Sequence, residues 1–374
     1  MYKGNAAEGL NPFYEIWGGD GTYCFIDKDD EYMIVSTPGN VFIKMSSSGA
    51  YQEHLINEAS GGFVNIAELD DNKDILFTNA TLSSASSTTY RIARISNITG
   101  TPTRTNLTDE MFDRWPTALK VSPYVSTTTT LFVGTINGDL YRVDNADGTA
   151  IWTEITGEGF YGSISAINFG ENADEIMITF HNYGVDSIWF TTDGGVTWNS
   201  KEGNFPDIPV KDILMNPLQS NEVIIATDLG VWMTADFDVE NPTWVRSRNG
   251  MQNVKVTSFD LRTSDNTVLA STYGRGLFTG QFNTDVVVSN VENELSEALS
   301  VYPTVSHGSI TIKSNKEFSD TDLKVFDIQG KLVYTTQLDL ISNETQINLD
   351  IETGIYIMKF DSNGIVASER IVIE

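Results

Sequence analysis

The chain has 374 residues, 51 acidic and 23 basic, and carries a net charge of −28 at pH 7. That length suits one large β domain with a smaller companion, and the acidic excess without any basic stripe excludes a nucleic-acid binder, since phosphate contacts need clustered cations. A single cysteine, Cys24, excludes an internal disulfide, and the histidines His54, His181 and His307 lack metal-ligand spacing, so no metal site is expected.

The opening stretch, "MYKGNAAEGLNPFYEIWGG", lacks the basic-then-apolar pattern of an export signal. No apolar run reaches the length of a membrane span, so no transmembrane segment is expected. "NPFYEIW" reads as an outer strand. It belongs either to a blade whose other strands lie upstream, or to the last blade through pairing with "GRGLFTGQF". "GGDG" (18–21) then reads as an entry turn to the first inner strand.

From here short apolar runs recur. "MIVST", "ILFTN", "LFVGT", "IMITF", "VIIAT" and "VLAST" end at Thr37, Asn79, Thr135, Phe180, Thr227 and Thr272. The first two steps are 42 and 56 residues, and the last three are 45, 47 and 45. Each run is followed by glycine and a second apolar stretch, a hairpin signal, and is preceded by another short strand. Inner strands are placed near Thr22, Gly62, Thr117, Ser163, Val210 and Val256. No stretch has sustained helical periodicity. Four strands repeating every ~46 residues describe a β-propeller blade. The predicted fold is therefore all-β: a propeller of about six four-stranded blades over 1–283, open to being part of a larger ring.

Within the repeat, "TTDGGVTWNS" (Thr191–Ser200) joins the third strand of one blade to its fourth. A short carboxylate in such a turn accepts backbone N–H bonds, glycine supplies positive φ, and the indole packs against a neighbouring blade. Asp193 therefore reads as a brace and not as an acid that does chemistry. "NADGTAIW" (Asp147, Trp152) and "TADFDVENPTW" (Thr234, Asp236, Trp244) are degenerate copies. In an antiparallel blade the three-to-four turns share an end with the one-to-two turns. The two-to-three and four-to-one loops share the other end, which is the expected ligand face.

After "NVENELSEA", part of a polar acidic linker over 284–296, the chain reads "LSVYPTVSHGSITI", "LKVFDIQGKLV", "INLDIETGIYIMKF" and "ERIVIE". Alternating strands between Gly, Asn and Asp turns predict a small β-sandwich over 297–374.

Two resemblances follow from these residues. "TTDGGVTW" fills every position of the Asp-box of bacterial neuraminidase repeats with Thr191, Asp193, Gly195, Thr197 and Trp198. With "ATDLGVWMT", "STYGRGLF" and "WGGDG" it makes residues 13–283 resemble sortilin-like and family 74 glycoside hydrolase-like propellers. The tail resembles the C-terminal sorting domain of the type IX secretion system of Bacteroidetes-type surface proteins, through Tyr302–Pro303, Gly330–Lys331, Gly354, Tyr356 and the apolar end Ile371–Ile373. Thr304–Val305 stands where that family often has Asn-Pro.

The resemblance implies secretion to the outer cell surface, recognition of 297–374 by the secretion machinery, and usually cleavage of the tail with attachment of the cargo to surface lipopolysaccharide. It also implies a signal peptide. None is present here, so the sequence is expected to be the C-terminal portion of a longer secreted protein.

The expected function is a ligand-binding or scaffold module for a glycan or protein. Ligand-face candidates are Trp17, Tyr161, His181, Tyr183, Met251, Tyr273 and Arg275. The alternative is a polysaccharide hydrolase with part of its active site outside this chain. Such chemistry needs two carboxylates across a cleft; Asp20 is the first candidate and Asp207 or Asp228 the second. A sialidase is disfavoured because the arginines do not recur at matching loop positions. "DKDDE" (Asp27–Glu31) and "LDDNKD" (Leu69–Asp74) resemble calcium loops in composition, but they lack alternating acids with a central glycine and read as solvated turns. No cofactor is expected, calcium being the one ion these stretches could hold.

Overall fold

The computed structural model describes residues 2–4, 13–124, 127–247, 251, 253–284, 299–314, 318–340, 344–362 and 365–374. Apart from Thr284, the expected linker lies outside the described residues. The chain separates into two compact units, 1–284 and 285–374.

The first unit is a β-propeller, with six blade sheets among the described residues. Blade 1 consists of Cys24–Ile26, Tyr32–Thr37, Asn40–Ser46 and Tyr51–Glu58. Blade 2 consists of Ala67–Asp70, Ile75–Asn79, Ile92–Ser96 and Thr103–Leu107, with a small hairpin (Leu82–Ser83, Thr88–Thr89) in its two-to-three loop. Blade 3 runs Pro116–Val121, Leu131–Thr135, Leu140–Asp144 and Ile151–Glu154, and blade 4 runs Ile164–Phe169, Ile176–Phe180, Ile188–Thr191 and Asn199–Ser200. Blade 5 runs Val210–Asn216, Gln219–Thr227, Gly230–Thr234 and Val245–Ser247.

Blade 6 has three strands among the described residues, Val256–Arg262, Thr267–Thr272 and Leu277–Gln281, and not the expected four. Phe13–Glu15 does not supply the missing one. It pairs antiparallel with Tyr2–Gly4, the partner nearer in sequence, so neither expected role of "NPFYEIW" is seen.

Burial explains why the second strands are runs and not alternations. Ile75–Asn79, Leu131–Thr135 and Ile176–Phe180 are buried at every position, because each is covered by a neighbouring blade on both faces. Apolar clusters fill the gaps between successive blades, from Tyr32, Phe42 and Leu76 between blades 1 and 2 to Ala226, Val256 and Ala270 between blades 5 and 6. The inner strands of blades 3 to 6 each carry a register shift at the same place, at Pro116/Ala118, Ile164/Ala166, Val210/Asp212 and Val256/Ser258. A shift of this kind re-aims the start of the strand.

Just past it, one hydrogen bond repeats: Ile136 N–H to Trp115 O (2.9 Å), His181 to Ser163 (3.0 Å), Asp228 to Pro209 (3.4 Å) and Tyr273 to Lys255 (2.9 Å). Each joins a two-to-three loop to the four-to-one loop beside it, so both loop types stand at one end.

The second unit is a sandwich of two sheets. One holds Leu299–Tyr302, Ser309–Ser314 and Glu344–Asn348; the other holds Val305–Ser306, Phe318–Asp327, Leu332–Leu340, Gly354–Ser362 and Ile365–Ile373. Ile312, Leu323, Val325, Met358, Phe360 and Ile371 form its buried centre. The last strand pairs along its length with Gly354–Ser362 and runs parallel to Val305–Ser306.

Candidate functional site

At the end opposite the loops, the turn at Thr191–Trp198 is held by its own side chains. Asp193 Oδ1 accepts from Thr191 Oγ1 (2.7 Å) and Thr197 N (2.9 Å), and Oδ2 accepts from Thr197 Oγ1 (2.6 Å). Thr191 Oγ1 accepts from Gly195 N (3.1 Å). Gly195 stands at φ 95°, which favours glycine, and a Cβ there would lie 3.0 Å from the side chain of Ile155, just after the last strand of blade 3. The hydrogen bonds from Thr197 and then Thr191 lower the Asp193 pKa to about 2.

Trp198 Nε1 reaches back to Ile155 O (2.9 Å), and Trp244 Nε1, one blade on, reaches Lys201 O at the same distance. Asp236 repeats the turn by accepting from Thr234 Oγ1 (2.5 Å) and Thr243 N (2.8 Å). In blade 3 the pattern changes. Asp147 binds Lys73 Nζ (2.5 Å) and Thr129 N (2.9 Å), and the buried Trp152 Nε1 has no partner among the described residues.

The acidic stretches of blades 1 and 2 are also braced turns. Asp27 accepts from the backbone of Asp29 (3.1 Å) and Glu31 (3.0 Å), and Asp71 accepts from Lys28 N at 3.0 and 3.1 Å. No group of three or more His, Cys, Asp or Glu arranged to hold a metal ion occurs among the described residues.

At the loop end, a depression of about 540 Å³ opens over blade 4, between the loops that lead into and out of it. Its walls are Tyr161, Trp189 and Phe205, and its carboxylates are Asp186, Glu202 and Asp207. The four-to-one loop ahead of blade 4 brings Tyr161; Gly159 in that loop lies at φ 94°, and a Cβ there would stand 2.9 Å from the Trp189 ring. The long two-to-three loop of blade 4 is folded back by its neighbours. Asp207 Oδ1 accepts from Gly184 N (2.7 Å), Glu202 Oε2 accepts from Ser187 N (2.7 Å), and Trp189 Nε1 donates to Asp186 O (2.9 Å). Burial drives the Glu202 pKa up to about 7; the Ser187 N–H opposes this, while Asp186 and Asp207 add to it as like charges.

Beside the pocket, Lys211 Nζ lies 2.8 Å from His181 Nε2 and 3.4 Å from Asp228 Oδ1, and Lys255 Nζ is 3.2 Å from the same oxygen. Asp228 is therefore neutralised by two lysines. Deeper in the channel Asp212 accepts from Phe259 N (2.7 Å) and Ile213 N (2.9 Å), and burial raises its pKa to about 6 against those bonds.

Tyr161, Tyr183 and Tyr273 are the most exposed tyrosines, at 69%, 66% and 79%, and all stand at this end with exposed His181 and Arg275. Met251 packs against the cluster between blades 5 and 6. Trp17 does not join them. It stacks on Tyr51 (centroids 5.8 Å apart), which follows the three-to-four turn of blade 1, and it covers the apolar face made by Met33, Val35, Ile43 and Met45. A large indole beside an open apolar face is held there by burial. Asp20 is exposed in the segment leading into blade 1 and does not line the depression.

Asp186, Glu202, Trp189 and Phe205 were not legible as site residues. The available signal was length: "HNYGVDS" (181–187) is longer than the corresponding turns at 228–229 and 273–276.

In the tail, Gly330 takes φ 83° in a turn where Asp327 Oδ1 accepts from Gln329 N (2.9 Å) and Lys331 N (3.0 Å). Gly354 opens a strand, Tyr356 is buried with its hydroxyl donating to Glu352 O (2.7 Å), and Tyr302 ends the first strand before Pro303. Residues 300–374 match the secretion system C-terminal sorting domain.

No curated protein matches the chain in sequence. Among solved structures, one match is PorZ, an essential bacterial surface component of the type-IX secretion system of Porphyromonas gingivalis. It is 13% identical with a TM-score of 0.32, over 92% of this chain and 64% of that one. Another is the β-propeller domain of Cps50 (Swd1) from Myceliophteria thermophila, 8% identical with a TM-score of 0.42, over 71% of this chain and 98% of that one. The chain thus spans less than two thirds of the length of PorZ. Among the described residues no helix is long and apolar enough to cross a membrane.

Proposed function

We propose that the chain is an exported surface protein whose propeller binds a glycan or protein ligand at its loop end, and whose tail is the address read by the type IX secretion machinery. The sorting-domain match over 300–374 supports the export half. The binding half is carried by one observation: aromatic walls and three carboxylates gather in a cavity of ligand size at the loop end. The bond pattern around Asp193 and Trp198 supports kinship with neuraminidase-repeat, sortilin-like and family 74-like propellers, with Asp193 as a brace.

The export half is tested by fusing residues 285–374 behind a signal peptide and a fluorescent reporter in a host with this pathway. The reporter should reach the cell surface. Removing Arg370–Glu374 should leave it in the periplasm, because those residues fill the last strand. A reporter that stays periplasmic with the intact tail would contradict the assignment.

A second reading, polysaccharide hydrolysis, has one observation in its favour. Glu202, its pKa raised by burial to about 7, shares one cavity with two further carboxylates, Asp186 and Asp207, an arrangement suited to an acid beside a second carboxylate. It predicts release of reducing ends from a glucan, abolished by Glu202→Gln.

A further inference from the structure

We infer that the depression over blade 4 receives an organic cation, the guanidinium or ammonium of an arginine or lysine side chain on a protein partner. This rests on the ligand-binding reading above and narrows its ligand. The argument is one of hydrogen-bond capacity. The polar side chains lining the cavity are Asp186, Glu202, Asp207 and Tyr161. Above the Glu202 pKa of about 7 all three carboxylates only accept, and of these four side chains only the Tyr161 hydroxyl can donate.

The nearby donors are already used. Gly184 N–H serves Asp207, Ser187 N–H serves Glu202, and Trp189 Nε1–H serves Asp186 O. A sugar hydroxyl both donates and accepts, and would find almost nothing to accept from. Ammonium and guanidinium groups donate only, three and five N–H respectively, which is the complement of this wall.

Charge points the same way. Among the described residues no Lys, Arg or His lines the cavity. The nearest lysine in sequence, Lys201, is turned away: its Nζ donates to Val239 O (2.6 Å) and stands over the rings of Phe190 and Phe237 at 5.9 and 5.5 Å. Lys211 is engaged by His181 and Asp228. Burial chiefly raises the Glu202 pKa, and the like charges of Asp186 and Asp207 add to it. The Tyr161 ring adds a face on which a cation can rest.

The protein origin follows from exposure. A pocket that leaves much of its occupant uncovered binds a free small molecule only weakly, at about millimolar concentration. Here Tyr161 is 69% exposed, and Asp186 and Asp207 are exposed as well. The cavity becomes enclosed when a partner's surface lies over it, with Tyr161 and Tyr183 as rim anchors of the kind interfaces favour.

The experiment uses the full chain and follows the Trp189 indole N–H signal, assigned by its loss in Trp189→Phe. The probes are acetyl-Gly-Arg-Gly-amide, its citrulline counterpart, the lysine version and cellotetraose. The arginine and lysine peptides should move the signal, and citrulline should bind about tenfold more weakly, as loss of charge-assisted bonds implies. Glu202→Gln and the exposed-site variant Tyr161→Ala, each checked for retained fold by circular dichroism, should both weaken arginine binding by about the same factor.

Equal binding of arginine and citrulline overturns the inference. So does cellotetraose moving the signal where the peptides do not, an outcome that leaves the ligand-binding reading standing. A signal unmoved by every probe overturns both.

Discussion

The two ends of the propeller hold carboxyl groups in opposite ways. At the turn end, Asp193 and Asp265 are held below the usual carboxylate range by hydrogen bonds, from Thr197 and Thr191 in one case and chiefly Arg262 in the other. Asp236 and Asp147 are lowered too: burial pushes against ionisation, and the bonds from Thr234 and from Lys73 outweigh it. Asp71, partly buried near Asp27, is the exception at this end. At the loop end Glu202 is raised to about 7, and in the channel Asp212 to about 6, burial dominating both. A carboxylate surrounded by donors is a structural part. One raised by burial is not held in its charged form by its bonds.

The same contrast recurs within the turn end. Blades 4 and 5 clamp the preceding blade through an indole N–H, and blade 3 does not. The largest expected effect is therefore at Trp244, 1% exposed and bonded to Lys201 O. Trp244→Ala should cost about 3–5 kcal/mol in denaturant unfolding. Trp244→Phe should cost about 1–3 kcal/mol, because it leaves a buried carbonyl unpaired. Trp152→Phe should cost less than either, since no bond is lost. Equal losses for the two Phe variants would remove the distinction between blades.

Next in size are two pH effects of opposite sign. The folded-state pKa of Asp193 is depressed, so its contribution is present above the unfolded value of 3.8 and is lost as pH falls through about 2. Asp193→Asn should melt lower than the parent at pH 7, with the gap closing toward pH 2. The folded-state pKa of Glu202 is raised from 4.5 to about 7, so the fold binds the extra proton and loses stability as pH rises between those values. Glu202→Gln should melt higher than the parent at pH 8, and the advantage should vanish below pH 4.5. A gap that does not move with pH in either variant would contradict the assigned cause.

The smallest effect is expected between the two units. Each has its own buried cluster, so removing 285–374 should leave the melting of 1–284 within a few degrees of its value in the full chain. Insoluble material would contradict this.

What could be read from the sequence follows the same division. The blade repeat was legible because its second strands are covered on both faces and run apolar without alternation, as in Leu131–Thr135 and Ile176–Phe180. The turn at Thr191–Trp198 was legible because the side-chain bonds of Thr191 and Asp193 that shape it all close within the stretch itself. The cavity was not, because Tyr161, Asp186, Glu202 and Asp207 come from three loops joined by long-range packing. Of the acids weighed for chemistry, Asp207 lines the cavity, Asp228 is held by Lys211 and Lys255, and Asp20 stands apart from it. Trp17 was misplaced because nothing local signals that residues 16–17 pack on blade 1 and do not rise to the loop end. Blade 6 was assigned a fourth strand on the strength of the repeat; the described residues give it three.

The most direct test of the two-ended account is a carbon-detected titration of the side-chain carboxyls of Asp193 and Glu202 in the full chain. The account predicts that Asp193 titrates at about 2 and Glu202 at about 7. Glu202 titrating between 4 and 5, with Asp193 at an ordinary value near 3.8, would contradict it.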